Sequence, residues 1–213
     1  MPPAFLDHIV ITAFSLEAGA TFVTQTLGVA PQAGGEHPRM GTHNQLLRLG
    51  DTMYLEVIAP NPAARPPDRP RWFGLDQLHP RSAPSLSTWV VRSTDITTTA
   101  AAALEPLGNI ESMSRGTLDW RITLSVDNSV PLDGIAPALI QWQDDVHPAS
   151  RMDDKGCTLV QLEILHPDPE RVRCLLASLA LDAPVAVRPA GPDAAARLIA
   201  HIDTPQGRRI LQG

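Results

Sequence analysis

The sequence predicts an α+β protein built from repeated βαβββ modules. A strand, a helix cap, an apolar helix stripe and a terminating glycine occur in this order twice, at an offset of 80 residues. Each helix is followed by three further strand-like segments, and a third unit begins near residue 157. Repetition of this kind indicates a repeated supersecondary unit. With 213 residues, 43% of them hydrophobic, the chain can also bury a sizeable core.

The first module is expected over residues 1–60. The β-branched, apolar segment "FLDHIVITAF" (5–14) predicts a strand. Ser15 can cap the following helix, and Gly28 ends it. The buried stripe of that helix recurs at spacings of 4, 3 and 4: Leu16, Ala20, Val23 and Leu27. Three more strands are predicted near 29–36, 43–49 and 52–59.

The second module, 86–143, has the same order. "SLSTWVVRST" (85–94) predicts a strand, Asp95 takes the cap position and Gly108 the terminating position. The helix stripe is again spaced 4, 3 and 4: Ile96, Ala100, Ala103 and Leu107. Strands are predicted near 109–114, 118–126 and 137–143.

Residues 61–85 separate these modules as a linker or lid. The stretch from 60 to 85 contains seven prolines and four arginines, and such a density of proline prevents a continuous helix or strand ladder. "RWFGLDQL" can form one helical turn that carries Trp72, Phe73 and Leu75. Two interpretations stay open: a surface connection with an apolar anchor, or a lid over a cavity mouth.

The third βαβββ-like module is expected over 157–213. "CTLVQLEILH" predicts its strand, with Asp168 as the helix cap and Pro169 at the first helical position. Strand-like segments near 184–189, 195–203 and 207–212 complete it. An odd module leaves strand edges exposed, so it is either a covering half-barrel or a dimerisation surface, which would make the protein a homodimer.

The composition excludes several classes of function. Seventeen Lys and Arg against 23 Asp and Glu give a net charge of −6, and no basic cluster with interleaved aromatic residues predicts a nucleic-acid or membrane partner. No apolar run is long enough to span a membrane. The sequence has no glycine-rich nucleotide motif, so no nucleotide cofactor is expected. The N-terminus lacks a signal-peptide pattern, and Cys157 and Cys174 show no CxxC spacing and are interpreted as reduced thiols, which favours a cytoplasmic location.

Strand alternation singles out Glu56 in the apolar strand "YLEVI". Ile9, Ile11, Leu55 and Val57 form uniformly apolar sets that suit the side packed under the helix. Glu56 then lies on the opposite side, together with Tyr54, and so does His8 on the first strand. A buried carboxylate needs a partner, and Glu56 beside His8 would make a proton-transfer couple.

Four stretches in this order resemble the vicinal oxygen chelate superfamily, and most closely its glyoxalase-like domain family: "LDHIVITAFSLEAGATFVTQTLG", "GTHNQLLRLGDTMYLEVIAP", "PALIQWQDDVHPAS" and "LEILHPDPERVRCLLASLAL". The resemblance implies that two βαβββ units pair curved mixed sheets into an open barrel around a cavity. In metal-binding members the ligands come from the first and last strands of each unit.

The resemblance places His8 and Glu56 at the ligand positions of the first unit. The 80-residue offset maps His8 onto Thr88, and alignment of "YLEVI" with "LIQWQ" maps Glu56 onto Gln141. His43 can supply a further imidazole if His43, Gln45 and Leu47 face the cavity, but the alternative set Asn44, Leu46 and Arg48 fits equally well. The expected ligands of a divalent zinc, nickel, manganese or iron ion are therefore His8, Glu56, Gln141 and His43. This set lacks the second strong histidine of an extradiol dioxygenase, so that activity is not expected.

Substrate contacts are expected from Tyr54, Thr88, Arg121 and His147. Either Arg115 or Arg121, if turned inward, can hold a substrate carboxylate through a bidentate contact; the alternative is a solvated arginine beside Trp120. His147 in "VHPAS" resembles a family element at the cavity rim, although a turn held by Pro148 explains it more simply.

The predicted function is that of a glyoxalase-like protein that binds and transforms a small oxygenated or carbonyl metabolite, as a lyase or isomerase. Glu56 and His8 are the expected catalytic residues. The alternative is a metal-free protein that binds and sequesters a small molecule, as bleomycin-resistance proteins do. A scaffold with a degenerate cavity is the third interpretation.

Overall fold

The computed structural model describes residues 3–127, 129–144, 146–191 and 194–213. Strands are the main regular structure of this chain, with a few short helices between them. The first eight strands are β1 (Ala4–Thr12), β2 (Gln32–His37), β3 (Thr42–Gly50), β4 (Met53–Pro60), β5 (Ser85–Arg92), β6 (Asn109–Arg115), β7 (Leu118–Leu124) and β8 (Ala138–Trp142). The remaining strands are β9 (Thr158–His166), β10 (Leu181–Asp182), β11 (Val185–Pro189), β12 (Arg197–Thr204) and β13 (Gly207–Gln212). The α-helices are α1 (Leu16–Leu27), α2 (Ile96–Ala102), the single turn α3 (Pro131–Gly134) and α4 (Pro169–Ser178).

A curled sheet positions the functional site. Its strands follow the order β2-β3-β4-β1-β5-β8-β7-β6, so the two predicted βαβββ units meet where β1 pairs with β5 in antiparallel register. The two ends of the sheet approach each other, because Arg39, just after β2, donates a 2.6 Å hydrogen bond to Glu111 on β6. The predicted α+β class, with curved mixed sheets that form an open barrel, is confirmed.

The helices cap and end as their local sequences dictate, with one difference. Ser15 accepts a hydrogen bond from Ala18 N at the start of α1, and Gly28 ends the helix in the left-handed conformation. In α2 the helix stops at Ala102 instead of reaching Gly108. Pro106 explains the difference, since a proline and the residue before it both disfavour helical backbone.

The outer face of the curled sheet is covered by α1, α2 and a second sheet of the order β11-β9-β12-β13. Ile9 and Leu86 of the large sheet share one buried core with Leu198, Ile202 and Leu211 of the small one. The third unit therefore packs against the back of the central strands. The division of the chain into modules at residues 60, 86 and 157, and the formation of a homodimer, stay predictions.

The inner face carries a separate apolar cluster that includes Val10, Ile58, Val90, Ile122 and Ile140. The short 3-10 helix Trp72–Gln77, from the proline-rich segment, packs on this face through Trp72 and Leu75. The cavity lies on this side of the sheet.

None of the helices that the structure describes could span a bilayer.

Candidate functional site

A cavity opens on the inner face of the curled sheet. Its lining combines polar groups with aromatic rings, and it comes from both βαβββ units and from the proline-rich segment. The lining residues are His8, His37, Asn44, Tyr54, Glu56, Trp72, Phe73, Arg115, Trp120, Ile122, Ile140 and Trp142. A concave, largely aromatic cavity with a few convergent polar groups is typical of a small-molecule site.

Glu56 is held in the cavity wall with one carboxylate oxygen committed and the other available. It lies on β4, paired with Val10 of β1 and Leu46 of β3, and is only 6% exposed. Asn44 Nδ2 donates a hydrogen bond of 2.5 Å to Glu56 Oε1. The other oxygen, Oε2, lies 3.6 Å from His8 Nε2, which is too long for a direct hydrogen bond. An atom of a bound molecule that lies beside the pair, off the line that joins the two atoms, can contact both groups.

A β-bulge brings Asp7 to His8. In the pairing of β1 with β5, Leu6 is opposite Val91 and His8 is opposite Val90, so Asp7 is the extra residue. Neighbouring strand residues normally point to opposite faces, but a bulge re-aims a side chain. Asp7 Oδ1 and His8 Nδ1 are therefore only 2.7 Å apart.

Three donors converge on the fully buried Asp7. In addition to His8, two side chains contact Asp7 Oδ2. Trp142 Nε1 donates to this oxygen at 3.0 Å, and His147 Nε2 lies 2.9 Å from it. Burial alone would raise the pKa of Asp7, but the hydrogen bonds from His147 and His8 and their charges outweigh it and hold the pKa well below its usual range. The ionised Asp7 fixes a proton on His8 Nδ1, so Nε2 is the ring atom left to face Glu56.

Arg115 enters the same cavity from the opposite end of the sheet. Its Nη1 donates to His37 Nε2 at 3.1 Å and to Asn44 Oδ1 at 3.3 Å. His37 Nδ1 then donates to Thr42 Oγ1 at 3.1 Å. Burial lowers the pKa of His37 to about 4, and the Arg115 charge adds to this although Glu56 opposes it. His37 is thus a neutral acceptor for Arg115.

Asn44 links the two charged groups. Its Oδ1 accepts from Gly35 N at 2.7 Å and from Arg115, which are both donors, so the amide nitrogen must face Glu56. A Cβ atom at Gly34 would overlap this Asn44 oxygen, and one at Gly35 would lie 2.9 Å from Arg115 Cδ, which explains the pair of glycines on β2. Arg115, Asn44 and Glu56 form one connected polar wall.

Aromatic rings form the rest of the cavity. Tyr54 stacks on His8 with the ring centroids 4.5 Å apart, and Trp120 packs against Trp142 at 5.5 Å. Burial raises the pKa of Tyr54 well above its usual range, and the charges of Asp7 and Glu56 act in the same direction. Trp72 and Phe73 stack on each other at 5.7 Å and border the cavity from the proline-rich segment.

The structure brings three of the predicted site residues, Glu56, His8 and Tyr54, together in this cavity. His147 contacts Asp7 and lies against Tyr54 and Trp142, so its place is behind the cavity wall. Thr88 borders a second, mostly apolar cavity.

Three predicted residues lie on the other side of their strands. Arg121 donates to Gln141 Oε1 at 2.6 Å, and that oxygen also accepts from Ile96 N at the start of α2, so both side chains face the helix. The error comes from parity, because Trp120 and Trp142 hold the cavity-facing positions beside them. His43 pairs with Ala59, whereas Asn44 contacts Glu56; the alternative set of β3 residues is the one that faces the cavity.

The predicted metal ligands therefore do not assemble. A catalytic zinc site requires three protein ligands. Only His8 and Glu56 of the predicted four share the cavity, and the part of the chain that the structure describes has no group of three His, Cys, Asp or Glu side chains placed to hold a metal. The donors present do not fit a protein-held divalent metal.

Sequence reasoning missed several groups of the site. Asp7 stood beside His8, but its inward position depends on the bulge, which no residue type announces. Arg115 was one of two open choices. No pattern of residues around His37 in the sequence indicates a site. Its partners Thr42 and Arg115 reach it only through the turn before β3 and through the approach of the two ends of the sheet.

The sequence model of the glyoxalase-like domain family matches residues 6–180 of the chain. The chain belongs to the glyoxalase-like domain family. That match includes every residue of the cavity lining and ends before β11. The curated proteins contain no match to the chain.

Among solved structures, the fold of this glyoxalase-like chain resembles that of a hypothetical protein from Staphylococcus aureus, with a TM-score of 0.60 and 12% identity over 88% of this chain and 86% of the other. A methylmalonyl-CoA epimerase variant from Streptomyces coelicolor, in complex with 2-nitronate-propionyl-CoA, is 17% identical over 68% of this chain and all of the other, with a TM-score of 0.47. A 4-hydroxymandelate synthase variant from the same organism is 16% identical, covers all of this chain and 63% of the other, and has a TM-score of 0.44. At these identities the likeness concerns the fold alone.

Proposed function

We propose that this protein binds a small carbonyl metabolite in the cavity and moves a proton at the carbon next to the carbonyl group. The observation that supports this most directly is the placement of Glu56 Oε2 opposite His8 Nε2, 3.6 Å apart in a buried cavity wall. Two groups that can each hold a proton face the same small space there.

In this mechanism Glu56 Oε2 accepts the proton from carbon. The electron pair of the broken C–H bond forms a C=C bond, and the carbonyl electrons move to oxygen and give an enolate. Return of the proton to the same carbon gives exchange or epimerisation, and return to a neighbouring atom gives isomerisation. His8 Nε2, held by Asp7 behind it, lies close enough to Glu56 to relay the proton.

The wall residues keep the reacting groups in place. Asn44 occupies Glu56 Oε1, so a single oxygen of the carboxylate is directed to the substrate. Asp7 has its own donors in Trp142 and His147, and it therefore fixes the orientation of His8 without touching the substrate. Such support for the reacting groups is what precise proton transfer requires.

The test is exchange of substrate hydrogen with solvent. Wild-type protein is incubated in deuterium oxide with a panel of 2-oxo acids, 3-oxo acids and 2-hydroxy ketones, and loss of the C–H signal next to the carbonyl is followed by proton NMR. The proposal requires exchange with at least one compound, and it requires Glu56→Gln to lower the rate by about 100-fold or more. Glu17→Gln, at an exposed carboxylate in α1, is the matched control and should keep the wild-type rate.

Chelation separates this mechanism from a metal-dependent one. Since His8 and Glu56 are the only predicted ligands that meet, dialysis against EDTA should leave the exchange rate unchanged. Loss of exchange on dialysis, with recovery on addition of zinc, nickel, manganese or iron, would contradict the mechanism and support the divalent ion implied by the resemblance.

A second candidate function is metal-free binding and sequestration of an aromatic or apolar compound. It is favoured by the aromatic rings of Trp72, Phe73, Trp120 and Trp142, which border the cavity together with only one carboxylate. In that case ligands quench tryptophan fluorescence, no compound of the panel exchanges hydrogen, and Glu56→Gln binds as tightly as the wild type.

A further inference from the structure

Arg115 is a cation in the cavity wall, and it has no anionic partner among the residues that the structure describes. The arginines near it have one: Arg39 and Arg69 pair with Glu111, and Arg71 pairs with Asp76. Within the described residues, the hydrogen bonds of Arg115 use Nη1 alone, and they go to His37 and Asn44, which are both neutral acceptors. A partly desolvated guanidinium is stabilised when an anion approaches it.

The surroundings of Arg115 fix its position but leave its charge uncompensated. His37 stays neutral at ordinary pH, because burial holds its pKa at about 4. Asn44 lies between Arg115 and Glu56 and bonds to both, so the arginine and the carboxylate do not pair directly. Among the described residues, Nε and Nη2 of Arg115 make no hydrogen bond, and these two nitrogens form a guanidinium edge of the kind that binds a carboxylate in a bidentate manner.

A second donor borders the same cavity. Trp72 is 4% exposed, and in the described part of the chain its buried indole N–H has no hydrogen-bond partner. A buried polar group without a partner is costly, so an unpaired donor beside a binding cavity indicates a ligand acceptor. Trp72 stacks on Phe73 and meets the edge of His37 with the ring centroids 5.0 Å apart, which places it next to the group that holds Arg115.

We propose that Arg115 and the Trp72 indole N–H form a carboxylate subsite, and that the substrate is a small oxo acid with an apolar or aromatic body. The carboxylate binds at Arg115, the body lies among Trp120, Trp142 and Phe73, and the carbonyl carbon chain reaches Glu56 through the space beside Asn44. The carbonyl part of this statement rests on the proposed function. The carboxylate part does not, because it concerns binding alone.

The experiment compares an acid with its neutral amide. Phenylacetate and phenylacetamide, and hexanoate and hexanamide, are titrated into the protein and followed by calorimetry and by quenching of tryptophan fluorescence; three of the four tryptophans border the cavity. Wild-type protein should bind at least one acid about tenfold or more tightly than its amide, and added salt should reduce this ratio.

Two arginine variants locate the effect. Arg115→Met should bring the affinities of the acid and the amide to within about twofold of each other, since the charge that distinguishes them is gone. Arg121→Met, on the other face of the neighbouring strand, is the matched control and should keep the wild-type ratio. Arg115→Gln, which can still donate to His37, repeats the test if the methionine variant loses its cooperative thermal transition.

Two results would overturn the proposal: a wild-type protein that binds no acid of the panel more tightly than its amide, or an acid preference that survives in the Arg115 variants. Titration of Glu56→Gln with the same compounds separates the proposed carboxylate subsite from the proposed proton-transfer function. If this variant keeps the acid preference while no hydrogen exchange occurs in the wild type, the carboxylate subsite stands and the proton-transfer function fails.

Discussion

Neutral His37 makes the stability of the protein sensitive to mild acid. Its Nδ1 carries a proton and donates to Thr42, whereas its Nε2 accepts from Arg115. Protonation of Nε2 would therefore break the contact with Arg115. Burial together with the charge of Arg115 disfavours protonation of His37 and outweighs the opposing charge of Glu56. The folded protein therefore excludes a proton that the unfolded chain takes up readily.

The direction in which stability changes with pH follows from the pKa of His37, which is about 4 in the folded protein against an ordinary value of 6.5. The stabilisation is complete above the unfolded value and is lost as the pH falls toward the folded value, because the unfolded state then binds more protons. Between about pH 7 and pH 5, the free energy of unfolding should fall by about 2 kcal/mol more in wild type than in His37→Gln, which keeps an acceptor for Arg115. Urea denaturation at both pH values measures this. His79→Gln, at an exposed histidine, should behave as wild type, and a His37→Gln curve parallel to that of wild type would contradict the prediction.

Individual site residues were predictable where strand alternation alone decides their position. Glu56 and Tyr54 on β4, and His8 on β1, interrupt apolar strands at every second residue, and the cavity contains all three. Alternation fails for Asp7, since one inserted residue reverses the rule, and for Arg121 and Gln141, since a shift of one position exchanges the faces. The charge pattern of the wall, with Arg115 beside neutral His37, depends on contacts between residues 78 positions apart.

At the scale of elements, α1 lies unusually close to the sheet at Gly19. This glycine is buried and packs on Val57 of β4. A Cβ atom there would overlap Val57 Cγ1 and would lie 3.0 Å from Ala13 Cβ. Glycine in mid-helix is unfavourable by roughly 1 kcal/mol relative to alanine, so close packing is the reason for its presence.

Gly19→Ala therefore has two opposed effects. Alanine improves the helix by roughly 1 kcal/mol, whereas overpacking a well-filled core costs about 1–3 kcal/mol. The β-branched Val57 is fully buried and cannot rotate away easily, so we expect a net destabilisation of about 1–2 kcal/mol in urea unfolding.

A double variant identifies the cause of that loss. Val57→Ala removes the overlapping methyl group, and Gly19→Ala should then be neutral or stabilising in its presence. An equal loss in both backgrounds would mean that helix–sheet contact at Val57 is not the origin of the effect.

At the scale of the whole molecule, the repetition in the sequence predicts the architecture well. Two units with matched caps and stripes give one curled sheet, because β1 and β5 are the equivalent first strands and pair with each other. What repetition leaves open is the place of the third unit. Its sheet covers the back of β1 and β5 through Leu211 and Ile202, a contact that depends on the match between two apolar faces and leaves no periodic signal.

The proline-rich segment is tied to both ends of the curled sheet. Arg69 donates to both oxygens of Glu111 on β6, at 2.5 and 2.8 Å, and Arg71 Nε donates to Gly41 O before β3 at 3.2 Å. Arg39 also donates to Glu111. These contacts hold Trp72 and Phe73 over the cavity. Whether residues 61–85 act as a lid or only as a surface connection stays a prediction.

Glu111→Gln tests whether those contacts keep the segment in place. The neutral amide loses the charge that both Arg39 and Arg69 share, so the segment should open more often. We expect trypsin to cleave between residues 61 and 85 several-fold faster, and carboxylate ligands to dissociate faster, while the cooperative unfolding transition changes little. Glu163→Gln is the matched control, because Glu163 also contacts two side chains, Arg188 and His201, but on the second sheet. High salt should reduce the difference between Glu111→Gln and wild type by weakening the wild-type contacts. Equal cleavage rates in all three proteins would show that the buried Trp72 and Leu75, and not the ion pairs, hold the segment on the cavity.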